Sequence, residues 1–404
     1  MLDTHVEKVI DETIANLDGE LRALSLQIHD NPELGNHEYH ASNLLVGYLE
    51  EKGFKMTRGV AGLPTAFIAE YSNGSQGRRV GFCSEYDALP GVGHACGHNL
   101  IAIGGVACAM ATKALLERNL IQGTCTLFGT PNEEGSAAGN GKIVLVNSGE
   151  IQKRTDFCLM LHPAPFDIAF GRGLALDCLN IEFFGRASHA GMAPWEGVNA
   201  LDALMQGWNN VSMLRQQILP TDRLHGFIKD GGKSANVIPA HASAVFYARS
   251  STRARLAQLK VLLENCFKGA AKATGCEVKL QWAPYGAVDD IFPNEALAEC
   301  YKSFMEEEGV QFLPRETEEN LPTDASSDFG NITYVRPSFQ PAFKIKTWGA
   351  NHTKEFAKAA GTPEAHQSTL RASRCVAKTA ASVFLSDELY ESAWAAFKKG
   401  TATA

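Results

Sequence analysis

Hydrophobic side chains recur every three or four positions in the first thirty residues, the spacing of a helix with one buried face. These positions are Val6, Ile10, Ile14, Leu17, Leu21 and Leu24. A second helix is predicted over about residues 40–53, ending at Gly53, because glycine commonly follows the last helical turn. We expect the first of these helices to pack against a sheet.

From residue 78 onward, short apolar runs alternate with helical patterns. Strands are predicted in RRVGFCSEYDALP, GTCTLFGT and TDFCLMLHP, and helices over about 100–120 and in KIVLVNSG. This β-α-β-α-β order predicts an α/β domain whose sheet carries helices on both faces. The polar clusters SEYD, HACGH, NEEG and LH fall at or just beyond the carboxyl ends of the strands, where open α/β sheets bind ligands. We therefore expect one crevice to collect all four clusters.

The pattern changes at about residue 176. LALDCLNIEFFG alternates as a half-exposed strand does, a helix is predicted over about 198–218, and strands in SAVFYARS and CEVKLQWA flank a helix over about 252–273. The α/β pattern returns after IFPNEAL, with helices over about 297–308 and 366–385 and a strand in GNITYVRP. We predict a main domain formed by residues 1–175 and 292–404, with a smaller domain inserted at 176–291.

The composition of the 404 residues is typical of a globular protein, with 45% hydrophobic and 20% charged residues. Lys and Arg total 37 against 45 for Asp and Glu, and no basic run is present, so nucleic acid is not an expected partner. No stretch approaches the ~18 apolar residues of a membrane span, and the N-terminus has no apolar signal core. Ten cysteines without a C-x-x-C pair indicate a reducing compartment, and we expect a cytoplasmic protein.

Cys96 and His98 lie two residues apart in a loop that contains Gly97. A thiolate and an imidazole at this spacing can bind one ion, and both are preferred ligands of borderline metals such as Zn²⁺. The same residue types form a cysteine nucleophile activated by His98 or His94. A buried free cysteine beside a hydrogen-bonded histidine is the structural alternative. The pair alone does not choose among these three interpretations.

Further carboxylates and imidazoles favour a metal centre. Glu133 and Glu134 are adjacent after a strand, so one can bind metal while the other acts as a base, although alone they also fit an ordinary acidic turn. His162 at a strand end and His352 before a helix each fit a structural role when considered alone. Asp87 is predicted to orient a ligand histidine, the alternative being a turn residue. The predicted ligands of two metal ions, with Glu133 left free, are Cys96, His98, Glu134, His162 and His352.

Seven strings spread in order over roughly residues 31–361 resemble one enzyme family. They are EYDALPGVGHACGHN, GTPNEEG, LHP, GRASHAG, ANVIP, SSDFGN and NHTKEF. In these strings the chain is similar to the aminoacylase and carboxypeptidase-like di-metal amidohydrolases, peptidase family M20. The branch is that of hippurate hydrolase, aminobenzoyl-glutamate hydrolase and the β-alanyl-lysine-type dipeptidases. The chain departs from the branch at two points. Asn99 stands where many members have Asp, a change shared with the aminobenzoyl-glutamate hydrolase and dipeptidase-like members. The stretch QWAPYGAVDDIF lacks the lid arginine of some carboxypeptidase-like members.

The resemblance implies roles for individual residues. Glu133 matches the general base, and the five residues named above match the ligands of two divalent ions, Zn or Mn. The inserted domain would be a ferredoxin-like lid through which the chain forms a homodimer. His189 matches a histidine that holds the carbonyl oxygen of the scissile bond, and Asn236 and Arg249 match substrate-binding positions.

We accordingly expect an α/β enzyme with a doubly wound mixed sheet and an inserted α+β lid. It would hydrolyse the amide bond of N-acyl amino acids or dipeptide-like substrates by metal-activated water. Its partner would be a small-molecule amide or dipeptide, without nucleic acid or membrane. Two alternatives stay open: a cysteine-dependent amide hydrolase that uses Cys96, and a catalytically silent binding subunit of the same fold.

Overall fold

The chain folds around two main β-sheets, each with its own hydrophobic core. The computed structural model describes residues 2–135, 139–321 and 325–403. In these ranges the strands are β1 (Lys55–Arg58), β2 (Phe67–Ser72), β3 (Arg78–Ser84), β4 (Gly123–Gly129), β5 (Phe157–Leu159), β6 (His162–Ala164), β7 (Ala175–Phe184), β8 (Arg223–Asp230), β9 (His241–Ser250), β10 (Glu277–Trp282), β11 (Ser338–Phe339) and β12 (Ala342–Lys344). The α-helices are α1 (Thr4–Asn16), α2 (Asp18–His29), α3 (Tyr39–Glu51), α4 (His98–Glu117), α5 (Gly141–Asn147), α6 (Glu150–Arg154), α7 (Ala200–Leu214), α8 (Arg253–Thr274), α9 (Glu295–Glu307), α10 (Arg315–Glu319), α11 (Phe329–Thr333), α12 (Lys354–Ala360), α13 (Pro363–Leu385) and α14 (Asp387–Thr403).

The larger sheet is mixed and has the strand order β1-β2-β4-β3-β5-β11. β3 runs parallel to β4 and β5, whereas β1 and β2 pair antiparallel at one edge. Side chains of β2 alternate between two cores, with Phe67 and Ala69 on one face and Ile68 on the other. Helices α3, α4 and α13 cover the first face, and α5, α6 and α11 cover the second. The first helix of the chain, α1, packs on α4 and α13 and not on the sheet as predicted, because α4 lies between α1 and the strands. The predicted doubly wound mixed sheet is confirmed.

Helix α4 lies at the centre of the larger core. It packs against β3 and β4 on one side and against α1 and α13 on the other. By length and composition it is, of the described helices, the one apolar enough to cross a membrane, which corrects the expectation that no stretch of the sequence approaches this length. Its apolar stretch is entirely buried inside the protein. The sheet and the surrounding helices therefore account for the apolar character of α4. Its first residue, His98, is fully buried at the sheet edge where the predicted ligands lie.

The smaller sheet is a four-stranded antiparallel layer with the order β10-β7-β9-β8. Its elements follow one another as β7-α7-β8-β9-α8-β10, the β-α-β-β-α-β arrangement of ferredoxin-like folds. Helices α7 and α8 cover one face, where Phe183, Phe246 and Phe267 form the centre of a separate core. β7 and β10 are antiparallel neighbours, so the chain enters and leaves this layer at the same end. The exact domain boundaries at 175/176 and 291/292 stay a prediction.

Several local predictions differ from the structure. The N-terminal helix is divided at Leu17 into α1 and α2, although its apolar stripe continues. TDFCLMLHP forms two strands, because β5 joins the larger sheet and β6 pairs with β12. GNITYVRP was predicted as a strand, but Phe329–Thr333 is the helix α11, with Phe329 and Ile332 buried against the sheet. β8 was not predicted, because its exposed Phe227 and Ile228 at the sheet edge leave no clear alternation.

Candidate metal centre and active site

The predicted metal ligands come from segments that follow neighbouring strands of the larger sheet. Because β3, β4 and β5 are parallel, their carboxyl ends lie at one edge of that sheet. The segment after β12 also reaches this edge, since β12 pairs in parallel with β6. The contributions are Cys96 and His98 after β3, Glu133 and Glu134 after β4, His162 after β5, and His352 after β12.

Atoms of ligand type gather there into overlapping groups. Cys96, His98 and His162 each place one such atom within 4.8 Å of the others, as do Cys96, Glu134 and His352. A third group of this kind consists of His98, Glu133 and Glu134. The groups share members, which is the arrangement expected for two neighbouring cations with ligands in common. The fold thus brings together all five predicted ligands and Glu133.

His98 has the orientation that a metal-ligand histidine requires. Its Nδ1 lies 2.9 Å from Asp87 Oδ1 and 2.8 Å from the Asp87 carbonyl oxygen, so Nδ1–H donates and Nε2 keeps a free lone pair. His98 Nε2 is buried and has no hydrogen-bond partner among the described residues. It faces carboxylate oxygens of Glu85 at 3.4 Å and of Glu133 and Glu134 at 3.9 Å. These separations are too long for good hydrogen bonds and fit a cation between the groups.

Cys96 and His162 are held together by the backbone around Gly97. His162 Nδ1 lies 2.9 Å from the Pro163 carbonyl oxygen, and His162 Nε2 lies 3.5 Å from Cys96 Sγ. Gly97 has φ +79°, and a Cβ at this position would lie 2.6 Å from Pro163 Cγ. Only glycine therefore combines this left-handed turn with the close approach to Pro163.

His352 completes the cluster from a strained position. It has φ 69°, a left-handed conformation that is uncommon for a residue with a Cβ. Its backbone N–H donates to the Ala95 carbonyl at 2.8 Å, which joins its loop to the loop of Cys96. His352 Nε2 lies 3.2 Å from Glu134 Oε1. The surrounding contacts thus hold the imidazole against a predicted ligand at the cost of backbone strain.

Comparison with known proteins identifies the family. The M20 peptidase dimerisation domain matches residues 176–275. The human Xaa-Arg dipeptidase is 38% identical over an alignment that covers 92% of this chain and 87% of that protein. The chain belongs to the M20 family. One of the proteins that make up the p-aminobenzoyl-glutamate hydrolase of Escherichia coli is 28% identical, with 90% of this chain and 89% of that protein covered. A Bacillus subtilis dinuclear metal-binding M20 peptidase shares the fold, with a TM-score of 0.65 and 18% identity over 95% of this chain and 99% of that structure.

These relatives make the chain an enzyme of the amidohydrolase and dipeptidase type.

Burial and neighbouring charges shift the pKa values of two acidic side chains in the site. Burial, together with the charges of Glu85 and Glu134, raises the pKa of Glu133 well above its usual value. Burial also opposes ionisation of Asp87, but the hydrogen bonds that Asp87 accepts from His98 and from the Glu134 N–H, together with the positive charge of Lys142, lower the pKa of Asp87. The two acidic side chains therefore differ: Glu133 has the environment of a proton acceptor, whereas Asp87 stays ionised beside His98.

His189 lies outside this cluster, on an exposed loop that precedes α7 in the M20 dimerisation domain. Its Nδ1 accepts the backbone N–H groups of Gly191 at 3.2 Å and Met192 at 3.1 Å. An Nδ1 that accepts hydrogen bonds carries no proton, so the ring proton of neutral His189 is on Nε2. His189 therefore presents an N–H donor to its surroundings.

The other two predicted substrate residues also lie in the smaller sheet region. Asn236 is exposed beside the His189 loop, and its backbone carbonyl oxygen accepts the Ala190 N–H at 2.9 Å. Arg249 is half-buried in β9, and its Nη1 donates to Ser326 Oγ at 3.4 Å. Arg249 thereby links the smaller sheet to the segment that leads into α11. Asn236 is thus joined to the His189 loop through Ala190, and Arg249 is joined to the segment that leads into α11.

The sequence analysis assigned no role to Lys142 or Asp328, which the fold brings to the base of the cluster. Lys142 Nζ lies 2.5 Å from Asp328 Oδ1 and 2.5 Å from Glu85 Oε1, and all three side chains are fully buried. One signal in the sequence was available. Lys142 begins the apolar run KIVLV, and a lysine that is buried with such a run needs an ion-pair partner. Its partners are far away in the sequence and cannot be named from that signal.

Proposed function

We propose that this M20 enzyme hydrolyses the amide bond of dipeptide-like substrates or N-acyl amino acids with two bound divalent ions, Zn or Mn. The ions would be held by Cys96, His98, Glu134, His162 and His352. The observation that carries the proposal is the group of His98, Glu133 and Glu134, because it sets a buried carboxylate beside two ligand-type side chains within 4.8 Å. The names of the relatives, which act as a dipeptidase and as a p-aminobenzoyl-glutamate hydrolase, support the substrate class.

Glu133 is the proposed general base. When bound, the two cations supply Lewis acidity that lowers the pKa of water and polarises the amide carbonyl. Glu133, whose side chain is only 8% exposed, accepts a proton from the attacking water and returns it to the leaving nitrogen. Asp87 holds His98 through Nδ1 and also accepts the Glu134 N–H at 2.9 Å, so it orients one ligand from each of two loops.

His189 is the proposed donor to the carbonyl oxygen of the substrate. The proton on its Nε2 is available because Nδ1 is used by its own loop. A donor aimed at a developing oxyanion contributes roughly 2.7–4 kcal/mol in comparable sites. Asn236 beside His189 and Arg249 in β9 are the proposed contacts to the rest of the substrate.

We propose that the chain forms a homodimer through the inserted lid at 176–291. The match to a dimerisation domain supports this assembly, as do the exposed Phe227 and Ile228 on the edge strand β8. The main domain would then consist of residues 1–175 and 292–404. A cytoplasmic location is in keeping with the ten free cysteines of the chain.

The two alternatives have less support. A cysteine-dependent hydrolase needs an activated thiolate, but burial raises the pKa of the Cys96 thiol. A silent binding subunit needs no buried free base, yet Glu133 lies beside a full set of ligand-type side chains. Both observations favour metal-assisted hydrolysis.

A substrate and metal panel tests the proposal. Dipeptides, N-acyl amino acids and p-aminobenzoyl-glutamate are assayed after chelation and after addition of Zn²⁺ or Mn²⁺. We expect hydrolysis to be lost with the metal and restored by it. Glu133→Gln should lower kcat by about 10²-fold or more with its metal content unchanged. Glu150→Gln, at a salt bridge to Arg154 on α6, is the control and should change neither. Metal-independent hydrolysis or a fully active E133Q protein contradicts the proposal.

A further inference from the structure

A group of buried charges lies directly beneath the proposed metal centre. Lys142 Nζ lies 2.5 Å from Glu85 Oε1 and 2.5 Å from Asp328 Oδ1. The backbone N–H of Lys142 donates to the other oxygen of Asp328, Oδ2, at 2.9 Å. Since the three side chains have no exposed surface, water does not stabilise their charges, and the ammonium and the two carboxylates depend on one another.

The two carboxylates form a further triad with the proposed base. Oxygen atoms of Glu85, Glu133 and Asp328 lie within 4.8 Å of one another, a spacing at which three carboxylates can hold a metal ion. Like charges this close repel strongly in a buried site, so a cation beside them stabilises the triad. The chain itself provides a cation beside two of the three carboxylates, the Lys142 ammonium paired with Glu85 and Asp328.

Lys142 also lies at the base of the loop that carries Glu133. It is the second residue of α5, and the preceding residue, Gly141, donates its N–H to the Pro131 carbonyl at 2.9 Å. Asn140 Nδ2 donates to the Glu133 carbonyl at 2.8 Å. The ends of the Glu133 loop are therefore closed beside Lys142, and the ion pairs of Lys142 tie this closure to the end of β3 and the start of α11.

We propose that Lys142 is the positioning residue that keeps Glu133 a free base, because its ammonium, paired with Glu85 and Asp328, supplies the positive charge that a metal ion bound by these two and Glu133 would otherwise supply. This inference rests on the proposed di-metal function and deepens it. A lysine ammonium is a compact charge that satisfies carboxylates without binding a substrate carbonyl or activating water. It therefore keeps a third divalent ion away from Glu133, and metal binding stops at two ions per chain.

Lys142→Met tests the proposal, because methionine has a similar length and no charge. Metal is counted by mass spectrometry after saturation with Mn²⁺ and gel filtration, and kcat and KM are measured on the same samples. The wild type should hold two ions per chain. K142M should hold more than two, and its kcat should fall by about 10²-fold with little change in KM, because a base displaced by about 1 Å loses activity of this order.

Two further variants separate this role from a general loss of stability. K142M/D328N removes the cation and one of the three anions, so the metal content should return to two while kcat stays low. Lys378→Met is the matched control, because Lys378 is buried between Glu7 and Asp11, each 3.2 Å from its Nζ, on the helix α13. K378M should lower the melting temperature and keep the wild-type kcat and two ions.

The outcomes are distinguishable. A K142M protein that holds two ions overturns the inference, whatever its kcat. If K142M does not fold by circular dichroism, Asp328→Asn replaces it, because it leaves the Lys142–Glu85 pair in place. D328N is then expected to lower kcat by about tenfold with two ions bound, and wild-type kcat in D328N overturns the inference. A wild-type protein that binds fewer than two ions contradicts the proposed function itself.

Discussion

Replacement of Asp87 by asparagine tests whether one buried carboxylate organises two metal ligands. Asp87 is 1% exposed, its Oδ1 lies 2.9 Å from His98 Nδ1, and its Oδ2 accepts the Glu134 N–H at 2.9 Å. Asparagine keeps the shape and one acceptor oxygen, but its NH₂ group must face one of the two N–H donors. One hydrogen bond is therefore lost and two donors meet, so at least one ligand loses its orientation.

The size of the effect follows from this loss. Partners that orient ligand histidines typically contribute 10- to 100-fold to metal affinity, which corresponds to about 1.4–2.7 kcal/mol. A buried donor left without an acceptor further destabilises the fold by about 1–3 kcal/mol. We therefore expect D87N to bind metal about 10- to 100-fold more weakly than the wild type and to recover part of its activity when metal is in excess.

Competition with a fluorescent chelator measures the metal Kd of the D87N protein, and unfolding in urea measures its stability. Asp156→Asn is the control, because Asp156 also accepts on both sides, from the Arg79 N–H at 2.9 Å and the Arg79 guanidinium at 2.6 Å, but belongs to none of the ligand groups. D156N should lose stability and keep the metal Kd. A D87N protein with the wild-type Kd would refute the role of Asp87 in orienting His98.

Three further predictions concern other parts of the molecule. Gly97→Ala should weaken metal binding at least tenfold, measured by chelator competition, because the new Cβ would lie 2.6 Å from Pro163 Cγ. The control is Gly149→Ala, where φ is +77° but the surrounding space is open. It should lower the stability by about 1 kcal/mol through backbone strain and leave the metal Kd unchanged. His189→Ala should lower kcat by about 10²- to 10³-fold with metal content unchanged, and an undiminished kcat contradicts its role as a donor to the carbonyl oxygen. Burial raises the pKa of Asp289 to about 6, so the wild type should lose stability as the pH rises from about 4 to 6 and this carboxyl ionises. In urea unfolding, Asp289→Asn should therefore gain stability relative to the wild type across that range. A stability difference between the two proteins that does not change with pH contradicts the pKa shift.

The M20 fold could be predicted where an element has a long periodic pattern. The pattern of α13 and the alternation of β7 each persist over several turns or residue pairs, and both elements are found close to their predicted positions. The prediction of short elements was wrong where tertiary packing decided their conformation. The residues of α11 have β-branched side chains typical of strands, but they form a helix because Phe329 and Ile332 fill the second face of the sheet. The edge strand β8 gave no signal because both of its faces carry exposed side chains.

The candidate site divides in the same way. Residue type and local spacing were enough to single out Cys96, His98 and the Glu133–Glu134 pair as candidates, because a metal ligand or a base needs particular atoms. Their predicted roles came from the whole set of candidates and from the resemblance to one enzyme family, because each pair alone also fits a structural role. The charge network below them was decided by folding. Lys142 pairs with Asp328, which is 186 residues away in the sequence. Arg249 in the smaller sheet donates a hydrogen bond to Ser326, which lies in the segment that leads into α11. An ion pair or a buried carboxylate triad depends on distance and on exclusion of water, and only the tertiary structure sets both.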